Sequence, residues 1–181
     1  MKQLTIRDIA KCAVFTAILA VCSVISIPLP LGVPVNLALL GVYLAALMLP
    51  PGQAFFSVLA FVLLGTFGVP VFAGFRGGLS VLAGPTGGFI AGYLLTVLVI
   101  SVLKARFGLK RRVIFPALVL GLLATYIPGI IWFAIVTGYG VGKALTACVI
   151  PFLPGDAAKI IIAAEVSLKV VKLLPARTSR T

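Results

Sequence analysis

The chain has 181 residues, of which 62% are apolar and only 10% charged, with 15 lysines and arginines against three carboxylates. A soluble domain averages about 45–50% apolar and about 25% charged residues, so too few polar side chains remain to cover a water-facing surface, and disorder is excluded as well. No length is left for a fused ATPase or DNA-binding module, and the absence of histidine removes the commonest general base and metal ligand.

A spanning helix needs about 20 residues, and six apolar stretches fit the chain, which reads as an all-α integral membrane protein with one membrane domain over 1–181. The first stretch, 12–27, ends at Pro28 and Pro30. Its basic start resembles a signal peptide, but no small-residue cleavage site follows, so it reads as a retained span. The second and third, 35–49 and 53–68, are separated by Pro50-Pro51-Gly52 and are short for spans. The fourth covers 85–103 and the fifth 113–137, where Pro128-Gly129 predicts a kink or a broken helix. Residues 138–150 read as a loop with a short amphipathic turn, and the sixth stretch covers 153–174.

The cations order these spans. Lys2, Arg7 and Lys11 precede the first; Lys104, Arg106, Lys110, Arg111 and Arg112 join the fourth to the fifth; Lys169, Lys172, Arg177 and Arg180 close the chain. With six spans all of these fall on one side, against Arg76 and Lys143 opposite, which predicts cytoplasmic N- and C-termini. The same placement explains the basic balance through headgroups and argues against nucleic acid.

Ionisable groups at membrane depth are costly and mark function. Asp156 and Lys159 open the sixth span, three residues apart and so on one helical face. They read either as a mutually neutralising pair or as a ligand clamp. Glu165 lies on the opposite side of that helix, and an i,i+4 pair with Lys169 is expected. Arg76 sits in the glycine-rich connection Gly68–Tyr93, either exposed on a loop that packs over the bundle or on a lid whose guanidinium reaches an anion. Asn36, at the outer end of the second span, caps backbone groups or bonds a ligand amide, and Tyr43 lies on its face but deeper. Tyr126 and Trp132 offer aromatic walls or core packing. Small side chains at Ala13 and Ala17, at Thr16 and Ala20, and at Gly88 and Gly92 permit close helix approach, with the first span the expected external face. Cys12, Cys22 and Cys148 lack metal or disulfide spacing and read as small hydrophobes.

Three strings resemble one family: the run from Gly68 to Tyr93 with PVFAG and LAGPTGG, PLPLGVPVN at 28–36, and PGDAAK at 154–159. Together they are similar to BioY, the biotin-binding S-component of energy-coupling-factor (ECF) transporters. The resemblance implies a six-transmembrane-helix S-component bundle in the bacterial cell membrane, with biotin as ligand. It implies as partners a membrane scaffold subunit and two cytoplasmic ATPases, with Ala13 and Ala17 at the scaffold contact. It also implies that Asp156 and Lys159 line the biotin pocket. No cofactor is expected, and ATP is used by the partner subunits. Gly142-Lys143 lacks the rest of a phosphate-binding loop, since Thr137 stands five before Gly142 and Ala144 follows Lys143.

Biotin asks for an apolar wall, an acceptor for its ureido N–H groups, donors for the carbonyl and a cation for the carboxylate. Asp156 suits the first polar task, Lys159 or Arg76 the others, and Asn36 either; which cation meets which end stays open. An enzyme is not expected, because no triad or carboxylate dyad can be assembled. The alternatives are an S-component for a different vitamin and a solitary carrier working without an ATPase.

Overall fold

The computed structural model describes residues 5–28 and 33–173. Lys2, Pro30, Arg177, Arg180 and the expected end of the sixth span at 174 lie outside the described residues. The described chain runs α1 (Ile6–Val24), β1 (Ser26–Ile27), β2 (Val35–Asn36), α2 (Ala38–Met48), α3 (Pro51–Thr66), α4 (Leu79–Ala83), α5 (Gly87–Phe107), α6 (Arg111–Thr137), α7 (Val141–Cys148) and α8 (Leu153–Leu173).

Helix α1 opens on a capping box. The Asp8 N–H donates to Thr5 Oγ1 at 3.3 Å, and the Thr5 N–H donates to the Asp8 carboxylate at 3.2 Å. Its far end differs from the expectation. The chain leaves the helix after Val24, and Ser26–Ile27 pairs antiparallel with Val35–Asn36, so the outer parts of the first two expected spans form a β-ribbon.

Helices α5 and α6, with 21 and 27 residues, are long and apolar enough to cross a bilayer. Helices α7 and α8, bent by 53° at the break between them, meet the same test together. Helix α1 carries Arg7, Asp8 and Lys11 in its first two turns, while α2 and α3 have only 11 and 16 residues. At 1.5 Å per residue α2 covers about 16 Å of a hydrocarbon core about 30 Å thick. Length and composition therefore support two or three of the six expected spans among the described residues. The broken fifth span does not form either: α6 runs continuously through Pro116 and Pro128.

Helices α5 and α6 make the most extensive pair, and small residues explain why. A methyl group on Gly88 would lie 2.3 Å from Trp132 Cβ and 2.5 Å from the Pro128 carbonyl oxygen, and one on Gly92 would lie 2.9 Å from the Thr125 backbone. The expected Gly88/Gly92 face is thus the α5–α6 seam. Next to it Thr96 Oγ1 donates to the Gly121 carbonyl at 2.7 Å and lies 2.5 Å from Thr125 Oγ1, so the buried hydroxyls are satisfied. Gly88→Ala is expected to cost about 1–3 kcal/mol by forcing the helices apart. Gly52→Ala, whose added carbon meets nothing within 4 Å, serves as control. Thermal melts of the two variants in detergent compare them directly.

One end of the bundle gathers the first turns of α1, the Pro50–Pro51 turn, the end of α5 and the start of α6. Cys12 Sγ lies 3.5 Å from the Gln53 carbonyl, and Lys104 Nζ lies 2.5 Å from that of Leu49. Glu165 pairs there with Arg111 across helices, not with Lys169 as expected. The i,i+4 spacing permits the local pair, but α6 begins beside α8, and a guanidinium binds a carboxylate more firmly than an ammonium. On the outside of the bundle Leu120, Leu123, Ile127, Ile131 and Ile135 of α6 form an exposed apolar stripe. Ala13 and Ala17 of α1 are exposed as well, while Thr16 is buried, its hydroxyl donating to the Ser57 carbonyl of α3 at 2.9 Å.

Candidate ligand-binding site

At the opposite end a cavity holds about 690 Å³ of unfilled space, open solvent at its mouth included. The chain just before β2 supplies Pro34, β2 supplies Asn36, and the following helix Leu39. The connection after α3 supplies Phe72, Ala73 and Arg76, α5 supplies Phe89, Ile90 and Tyr93, and α6 supplies Thr125 and Tyr126. Cys148 from α7, Phe152 from the break after it, and Asp156 and Lys159 from α8 close the floor. Aromatic and aliphatic walls with a few convergent polar groups are the general form of a small-molecule site.

Asp156 and Lys159 are 3% and 5% exposed, with Lys159 Nζ 2.7 Å from Asp156 Oδ1. Pro154 in the first turn of α8 starts the helix that sets this i,i+3 pair. The other carboxylate oxygen, Oδ2, accepts from the Tyr126 hydroxyl at 2.5 Å. The pair is thus neutral as a unit. The ammonium keeps two further N–H donors, and the carboxylate keeps lone pairs for a ligand.

Arg76 lies at the rim and is exposed. Its Nε makes one long contact, 3.4 Å to the Ala73 carbonyl, and among the described residues it has no carboxylate partner. The hairpin that carries it is fixed by Phe72 N–H to Arg76 O at 2.9 Å and turns through Gly74 and Phe75, both with positive φ. Arg76 also lines a second, outer hollow with Ser80, Gly84 and Thr86. Trp132 does not form a wall; its indole N–H donates to the Gly84 carbonyl at 3.0 Å and holds the glycine-rich connection against α6. Asn36 does cap, its Oδ1 accepting from the Ala38 N–H at 3.1 Å, and it lines the cavity as well.

Tyr43 departs from the expectation. It is fully buried in the core behind the cavity lining, and its hydroxyl has no hydrogen-bond partner among the described residues. The face shared by Asn36 and Tyr43 presumes one helix through both, whereas Asn36 belongs to β2 and only Tyr43 to α2. Tyr93, which the sequence reading passes over, is a wall residue, and Tyr126 is a hydrogen-bond donor as well as a wall. An intramembrane tyrosine one helical turn beyond Phe89 in α5 was the available signal for the former.

A model of the BioY family matches residues 1–176. The biotin transporter BioY of Thermotoga maritima is 36% identical over 176 residues, covering 92% of this chain and 97% of that protein. The biotin transporter BioY of Rhizobium etli is 35% identical over 185 residues, covering 94% and 98%. Among solved structures, the S-component for biotin from an ECF-type ABC transporter superposes with a TM-score of 0.81 at 28% identity, over 92% of each chain. These relatives are named as transporters, not enzymes. Agreement in sequence and fold along nearly the whole length makes the chain a member of the BioY family.

Proposed function

We propose that the chain is the biotin-binding S-component of an ATP-driven ECF transporter, a six-span protein of the bacterial cell membrane with cytoplasmic termini. The observation that carries this is the buried Asp156–Lys159 pair at the floor of an aromatic-lined cavity, in a chain of this family. The cations around α1, α5 and α6 gather at the end away from the cavity, which supports an outward-facing mouth.

The pair is neutral overall, so it suits a neutral, strongly hydrogen-bonding group better than an anion. Asp156 accepts from the ureido N–H groups, Lys159 donates to the ureido carbonyl, and the apolar walls enclose the thiophane and valeryl chain. The carboxylate stays at the rim, where Arg76 has no carboxylate partner among the described residues. ATP acts in trans: docked ATPases reorient the subunit through a scaffold that meets α1 at Ala13 and Ala17, both exposed.

Biotin titration of the purified protein tests ligand identity, with other vitamins as competitors; tighter binding of another vitamin sinks the assignment. Uptake into vesicles with and without the scaffold and ATPases tests the partnership. Biotin accumulation against a gradient without them would favour a solitary carrier. Arg76→Gln is expected to weaken biotin about tenfold while leaving biotin amide within about twofold, as the loss of one charge-assisted contact predicts. Equal losses for acid and amide would place the carboxylate elsewhere.

A further inference from the structure

The Asp156 carboxylate is held from two helices. Lys159, on its own helix, takes Oδ1 at 2.7 Å, and Tyr126, from α6, takes Oδ2 at 2.5 Å. Tyr126 is 7% exposed, and its hydroxyl is directed to this carboxylate across the cavity wall. A carboxylate gripped only by Lys159 would share a flexible four-carbon partner three residues away and could turn with it. The phenol adds a rigid donor from a different element. Pro128 has no N–H for the Ala124 carbonyl, so the turn that carries Tyr126 lacks one helical bond.

We propose that Tyr126 is a positioning residue for ligand binding: its hydroxyl fixes the rotation of Asp156, so that one remaining lone pair on each oxygen faces the cavity. The inference rests on the biotin reading, since two fixed lone pairs suit the two N–H groups of a cyclic urea. It goes beyond that reading by giving α6 a defined part in recognition. Tyr93, also in the cavity wall, makes no hydrogen bond to Asp156 and does not share this part.

The test is a double-mutant cycle on the full-length protein in detergent or nanodiscs. Tyr126→Phe keeps the ring and removes only the hydroxyl. Biotin affinity is expected to fall about tenfold in the wild-type background and by less than about threefold in Asp156→Asn, where the charged acceptor is gone. In ligand-free protein, the infrared carboxylate band that Asp156→Asn removes should shift in Tyr126→Phe. Equal losses in both backgrounds would show that Tyr126 touches biotin directly or acts by packing, and would overturn the proposal. Unchanged affinity or an unmoved band would overturn it too. Should Tyr126→Phe fail to fold, a ring-fluorinated tyrosine at 126 keeps the hydroxyl as a stronger donor. It should move the same band, and a stationary band then counts against the proposal. If wild-type protein itself does not bind biotin, the ligand assignment fails, an outcome separate from any effect of the variants.

Discussion

Lys159→Met is expected to abolish tight biotin binding and to cost the fold about 3–5 kcal/mol, because it leaves the Asp156 carboxylate as a buried charge without its ion-pair partner. With Asp156 3% exposed and the ammonium 2.7 Å away, the pair is largely withdrawn from solvent, and each charge leans on the other. Asp156→Asn is gentler on the fold. An amide keeps the volume, but its single oxygen cannot stand at both the Oδ1 and Oδ2 positions taken by Lys159 and Tyr126, and it offers the ureido N–H groups a weaker acceptor. At least a tenfold loss of affinity, about 1.4 kcal/mol, is expected. Replacing both members at once, Asp156→Leu with Lys159→Met, removes both desolvated charges, and such exchanges are often neutral or stabilising. The double variant should therefore melt at or above the temperature of Lys159→Met while binding no biotin. That pattern separates a pair kept for ligand from a pair kept for stability. Full affinity in either single variant, read by calorimetric titration beside a melting curve, would remove the pair from the site.

How far such groups can be found in advance depends on whether their contacts are local. Asp156 and Lys159 are legible because three residues on a helix fix a shared face whatever surrounds them. Gly88 and Gly92 are legible for the same reason. Glu165 is not: its partner Arg111 is 54 residues away, and the local alternative Lys169 satisfies every rule of spacing. Tyr93 and Tyr43 fail differently. Helices α2 and α5 are apolar on nearly every side, so periodicity gives no sign of their rotation. Which tyrosine faces the cavity is settled by packing against α6 and α8. The β-ribbon is hidden because four residues carry it, and in sequence they continue apolar runs that read equally well as helix ends.

Lys104 combines both limits and yields the second large effect. By position it reads as one more cation anchoring the fourth span to headgroups. In the structure its ammonium turns back to the end of α2, donating to the carbonyls of Ala46 at 2.7 Å, Leu47 at 3.2 Å and Leu49 at 2.5 Å. The cause is in the sequence. A helical carbonyl accepts from the N–H four residues on; for Ala46 and Leu47 those residues are Pro50 and Pro51, which have none. Two carbonyls at the negative end of a helix are left without helical donors, and Ser101 Oγ reaches that of Ala46 only at 3.4 Å. One ammonium with three N–H groups meets that need and ties α2 to α5, whose other end carries the cavity wall. Lys104→Met keeps the length and apolar stem and removes the donors. It is expected to lower stability by about 2–4 kcal/mol, the range for unsatisfied buried acceptors plus a lost helix-end charge. Lys104→Arg, still a donor though shaped for planar acceptors, should recover part of it. A Lys104→Met melting temperature within error of the wild type, in the same detergent, would mean that water or lipid already serves those carbonyls and that the lysine is only an anchor.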